Sequence, residues 1–227
     1  MLHATQVPAT LLHVNALFGG LFLLAAFGLV GTRQALACIR LFVLQSVLLS
    51  ASVLVQAWPD GSTHLFIVAG LTLFSRAVVI PWLMRRTLHG EAFTHREIEQ
   101  VLRIPTSLLM AAALVLLAYF VSQPLLGAAD GLFVPTSLPL GLSVLFLGAY
   151  TISVRREAVP QLLGVLTAEN GVFFAGVAIA GRLPIIVEIT VALDVLIVAV
   201  VLGLLTRRIL ERTGSTAVGK LTALKER

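Results

Sequence analysis

The sequence has little charge and almost no cysteine. Asp, Glu, Lys and Arg make up 12% of its 227 residues, where a soluble globular domain carries about 25%. That deficit excludes an ordinary soluble fold. The one cysteine, Cys38, excludes an intrachain disulfide and leaves no cysteine set for zinc or an iron–sulfur cluster. It reads as a small buried apolar side chain. The chain also lacks a Gly-rich phosphate loop, a GxSxG elbow and a histidine pair for haem. No cofactor is expected in this chain, and any redox chemistry belongs to a partner. The pI of 10.3 looks like a nucleic-acid signal. In a chain this apolar, excess Lys and Arg first reports topology, so no nucleic-acid partner is expected.

What the sequence does have is apolar length. It is 58% hydrophobic, with a mean hydropathy of +1.00. A bilayer span needs roughly 20 apolar residues, and seven runs qualify: about 11–30, 35–58, 64–84, 105–126, 132–154, 159–180 and 183–206. Backbone groups in lipid must be satisfied within their own segment, so each run is expected to be a helix. The first lacks a basic leader and a cleavage site, and reads as a retained helix. The expectation is an all-α polytopic membrane protein of about seven transmembrane helices in the bilayer of a prokaryotic cytoplasmic (inner) membrane.

Positive charge orients it. Of 16 Lys and Arg, Arg40 and Arg76 lie inside spans, and 13 of the others fall in the first, third and fifth loops or the tail. Arg182 alone falls on the opposite side. This split places the N-terminus outside and the C-terminus in the cytoplasm. In the long third loop, Thr94-His95-Arg96-Glu97 has capping-box spacing, and Pro105 marks membrane entry. His89 and His95 read as solvated loop residues, and the basic tail as an end lying on anionic lipid.

Residues 31–56 and 154–179 share a pattern: a basic turn, a span, and a polar pair near its centre, Gln45-Ser46 in one and Glu169-Asn170 in the other. A 3+1+3 internal repeat follows as an expectation, since such repeats are common in transport machinery. The corresponding units are 1–104, three helices plus the cytoplasmic loop; 105–130, a linking helix; 131–208, the unit with the buried acids; and 209–227, the tail.

Those acids carry the functional argument. Glu169 is the only ionisable residue of 159–180, with ten residues of the span before it and eleven after. Asp194 likewise bisects 183–206, so the two are expected at similar depth on antiparallel helices. Glu188 lies ~9 Å nearer the outer surface than Asp194 at ~1.5 Å per residue, and about 120° around the helix. A mid-bilayer charge costs on the order of 2.5–3.5 kcal/mol on insertion scales. Carboxyls in such places, with water, are the physical content of a proton relay. Asn170, Gln45 and Arg76 are expected to join that polar line, Arg76 by pairing with an acid. Gln45 also admits a purely helix-joining role, and Arg40 a snorkel to the cytoplasmic face.

The segment from Arg155 to Ile209 fits GxLxxENGxFxxxxAxxGxLPxxVExxxxxDxLxxxxxxG. It resembles the C-terminal half of the hydrogenase-4 component E family, membrane subunits of nickel–iron hydrogenases and complex I-related assemblies. It is also similar to the small K-type subunit of complex I and to the C subunit of Mrp-type antiporters. The resemblance implies that Glu169 and Asp194 take the mid-membrane acid positions of a hydrated polar axis. It further implies an antiporter-like membrane subunit and the membrane anchor of a redox arm as partners, with nickel–iron and iron–sulfur centres in partner subunits. The expected function is a membrane subunit of a proton (or sodium) translocating oxidoreductase. Two other readings stay open: a cation/proton antiporter subunit without redox chemistry, and a scaffold whose buried acids only bind neighbouring helices.

Overall fold

Why helices form here follows from the solvent: runs of 18 to 23 apolar residues in lipid have no other way to satisfy their backbone. The structure, a computed structural model, describes residues 9–59, 63–87, 103–127 and 132–179. Those residues are helical apart from short connections. In order they are α1 (Ala9–Gly31), α2 (Ala35–Ala57), α3 (Thr63–Leu73), a π-helical segment (Phe74–Val79), α4 (Ile80–Thr87), α5 (Ile104–Leu126), α6 (Val134–Val154) and α7 (Ala158–Ile179). The run α3–π–α4 is one continuous span, so the described residues contain six helices long and apolar enough to cross a membrane. The seventh expected span at 183–206, with Glu188 and Asp194, lies outside the described residues, as do the Thr94 capping box, His89, His95 and the tail.

Between helices in lipid there is little hydrophobic driving force, so close packing of small residues has to hold them together. The α6–α7 hairpin shows this most clearly. Gly141 and Gly148 of α6 face Gly164, Ala168, Gly171 and Ala175 of α7. A Cβ placed on Gly141 would lie 2.6 Å from the Gly171 carbonyl oxygen and 2.8 Å from the Ala175 Cβ. One placed on Gly148 would strike the Ala168 backbone. The two backbones therefore meet directly, and only glycine permits it. By contrast, α5 buries just Ser107, Ala111, Ala118 and Ser122, a stripe of small residues, and turns its bulky side chains outward. Pro105 sits in the first turn of α5, where its missing N–H costs nothing.

The core lies where α1, α2, α6 and α7 converge. Phe22 of α1 stacks on Phe174 of α7, with ring centroids 5.0 Å apart, and Leu49, Val53, Val144 and Leu147 close around them. A second cluster joins Phe42 of α2, Ile80 and Met84 of α4, and Leu163 and Leu166 of α7, with buried Cys38 among them.

One end of the bundle is closed by Arg155, the residue after α6. Its side chain is 2% exposed, and its Nη2 donates to the carbonyls of Leu29 (2.9 Å), Val30 (3.0 Å) and Thr32 (2.6 Å) at the end of α1. The C-terminal end of a helix carries its negative dipole end, so a cation is well placed there. Burial lowers the Arg155 pKa, Arg33 adds to this and Glu157 opposes it. The guanidinium stays charged even so, because arginine is not deprotonated in proteins.

Candidate functional site

Near the middle of the bundle the π segment does something an α-helix would not. Pro81 follows it by two residues, and a proline ring crowds the carbonyl four residues back while offering no N–H. The chain answers by widening the preceding turn: the Ile80 N–H donates to the Ser75 oxygen, five residues back. Single π turns of this kind recur at functional sites. This one carries Arg76, which is 1% exposed.

Arg76 reaches α7. Its Nη1 donates to the Asn170 Oδ1, and the guanidinium lies 5.8 Å from the ring centroid of Phe173, one turn further along α7. The Asn170 Nδ2 donates in turn to the Gln45 Oε1 of α2 at 3.4 Å. Asn170 suits the position because an amide accepts on one side and donates on the other. It is completely buried, and Gln45 is 1% exposed. Glu169 precedes Asn170 on α7 and is half-buried.

The Glu-Asn-Gly triplet thus divides its labour. Asn170 ties α7 to α2 and the π segment, Gly171 admits the α6 backbone, and Glu169 brings a carboxyl to the same turn. Several buried polar atoms have no hydrogen-bond partner among the described residues; Ser107 Oγ and Tyr150 Oη lie elsewhere in the bundle, while Gln45 Nε2, Thr72 Oγ1, Ser75 Oγ and Thr167 Oγ1 lie near this network. Thr72 and Ser75 lie within a turn of Arg76, and Thr167 within a turn of Asn170. Buried polar groups are rarely left so, and these four make the seam more polar than packing requires.

Of the six residues singled out in the sequence, the structure brings Gln45, Arg76 and Asn170 into one network with Glu169 beside it. Glu188 and Asp194 lie outside the described residues. Ser46, the other half of the Gln45 pair, only donates back to the Phe42 carbonyl of its own helix at 2.9 Å. Arg40 is exposed.

Sequence reasoning missed a second polar cluster. Asn15 of α1 donates to Ser137 Oγ of α6 at 3.1 Å and accepts from Ser52 and Gln56 of α2. All four residues are buried. The available signal was Asn15 itself, an amide inside an otherwise apolar span.

No family model matches the chain, and no solved structure matches it. Among characterised sequences it is 30% identical over 214 residues to hydrogenase-4 component E of Escherichia coli strain K12, covering 93% of this chain and 97% of that protein. The chain belongs to the hydrogenase-4 component E family. The Shigella flexneri hydrogenase-4 component E matches to the same extent. The uncharacterized protein Rv0085 of Mycobacterium tuberculosis is 32% identical over 208 residues, or 92% of this chain and 94% of its own length. The likeness to hydrogenase-4 component E therefore runs over nearly the whole chain, whereas the Glu-Asn-Gly pattern covers only its C-terminal part.

Proposed function

We propose that this chain is a membrane subunit of a multi-subunit, proton (or sodium) translocating hydrogenase-like, complex I-like oxidoreductase in a prokaryotic cytoplasmic membrane. Its part is to contribute carboxylates within the bilayer to the ion path, with Glu169 and Asp194 as the exchange sites and Glu188 further along the path. The observation that carries this reading is the Gln45–Asn170–Arg76 network: a buried cation and two amides, one turn around a mid-helix glutamate. A buried charge is costly, and a fold that needed only helix contacts had glycine packing available at the same turn. The unpartnered hydroxyls and amide around the network give water polar places to bind. Chemically, Glu169 takes up and releases the proton, while Asn170 and Gln45 hold the helices in register and Arg76 supplies a fixed positive charge to the seam. Family membership supports the company proposed for it: an antiporter-like membrane subunit and the membrane anchor of a redox arm, with nickel–iron and iron–sulfur centres held by other subunits.

The test has two steps. Affinity purification from mildly solubilised membranes should bring down a nickel or iron–sulfur subunit together with an antiporter-like one. Antiporter subunits alone would favour a transport assembly without redox chemistry. Coupled proton translocation is then measured in membrane vesicles carrying Glu169→Gln. Gln bonds much as a protonated carboxyl does but cannot titrate, so translocation should fall at least tenfold with assembly intact. Unaltered translocation would reduce Glu169 to a structural residue.

A further inference from the structure

The inward face of α2 holds Gln45, Ser52 and Gln56, but its outward face is a continuous stripe: Arg40, Leu44, Val47, Ala51, Leu54 and Trp58. The spacing alternates four and three residues, which keeps every member on one side of a helix. Leu44, Val47 and Leu54 are 49%, 42% and 39% exposed, and Trp58 is 70% exposed. Arg40 is exposed and makes no hydrogen bond or ion pair with any described residue.

Three observations say what covers this stripe. First, its ends are the two side chains that suit membrane interfaces, an arginine and a tryptophan. Residues 40 to 58 at ~1.5 Å each span ~27 Å, close to the ~30 Å of a hydrocarbon core. Second, the middle is bulky and aliphatic. Helix contacts in lipid favour small residues, as α6 and α7 illustrate in this chain; a row of Leu and Val is shaped for acyl chains. Third, a single unpartnered cation stands at one end, with Arg33 in the turn just before α2 and also exposed. An arginine facing lipid with no acid of its own calls for an anion from the headgroup layer.

We propose that the outward face of α2 binds an anionic phospholipid, its headgroup phosphate held by Arg40 and one acyl chain laid along Leu44, Val47 and Leu54. The site selects by headgroup charge, because the apolar stripe alone does not distinguish one lipid from another.

The full chain, purified in detergent, is offered equimolar phosphatidylglycerol and phosphatidylcholine, and the retained lipid is read by native mass spectrometry. Arg40→Gln should lower the preference for phosphatidylglycerol about fivefold, the equivalent of ~1 kcal/mol per basic side chain at an anionic surface. Arg40→Lys should keep most of it. An unchanged preference in Arg40→Gln overturns the proposal; because Arg40 touches no described partner, a folding defect is not expected to obscure the result. A second readout addresses the stripe in the assembled complex. Native Cys38 is buried, so a nitroxide on Val47→Cys reports on that position alone. Access to dissolved oxygen supports the lipid site, while a shielded, immobilised label means another polypeptide covers α2 and overturns it.

Discussion

Two polar clusters are buried in this bundle, and they are built differently. The Asn15–Ser52–Gln56–Ser137 cluster contains only amides and hydroxyls, and its members bond to one another across α1, α2 and α6. The Gln45–Arg76–Asn170 cluster contains a charge, sits beside an acid, and has polar atoms around it that the described protein does not satisfy. A closed, neutral set of hydrogen bonds is what joining helices requires. A set that is charged and incompletely closed costs stability that packing alone would not demand, so it is the place to look for chemistry.

Substitutions in each cluster test whether the two differ in kind. The largest effect should come from the element both clusters lean on, since Ser137 belongs to α6 and Asn170 to α7. Gly148→Val pushes a branched side chain into the Ala168 backbone, and the expected outcome is loss of the protein from membranes and of its complexes on native gels. Next comes the same change made in each cluster. Asn170→Leu strips Arg76 of an acceptor inside the bundle. It should cost about 1.5–3 kcal/mol, the range for hydrogen bonds to charged groups, and should also impair translocation. Asn15→Leu should cost about 1–2 kcal/mol, given ~0.6 on average and ~1.7 at most for one interhelical bond in lipid, and should leave translocation intact. Stability is read by denaturing-detergent titration and transport in vesicles. If both asparagines behave alike in transport, the distinction between the clusters fails. The smallest effect belongs to Ser50→Ala, which removes one bond to the Ala69 carbonyl (2.8 Å) and should cost about 0.6 kcal/mol.

Span positions were legible because apolar length is the direct requirement of the bilayer. The observed ends of α2, α5 and α6 fall within two residues of expectation. Gln45, Arg76 and Asn170 were legible for the complementary reason, that polar groups deep in apolar runs are costly and therefore conspicuous. Their mutual contacts were not, because they depend on helix rotation. Hydrophobicity does not report rotation when every face of a helix is apolar. The π turn was hidden as well: Pro81 signals a disturbance, but whether the helix kinks or widens is decided by what packs around it. Arg155 looked like one more cytoplasmic positive charge, and its burial at the end of α1 is a purely tertiary fact.

That contact has a consequence for how the protein is made. The chain enters the membrane from its N-terminus, so α1 is inserted long before residue 155 has left the ribosome. Until then the last carbonyls of α1 lack the guanidinium that Arg155 lends them, and the first hairpin stays unfinished at one end until the fifth span has been made. Completion of that end of α1 therefore waits on α6 and the residue that follows it.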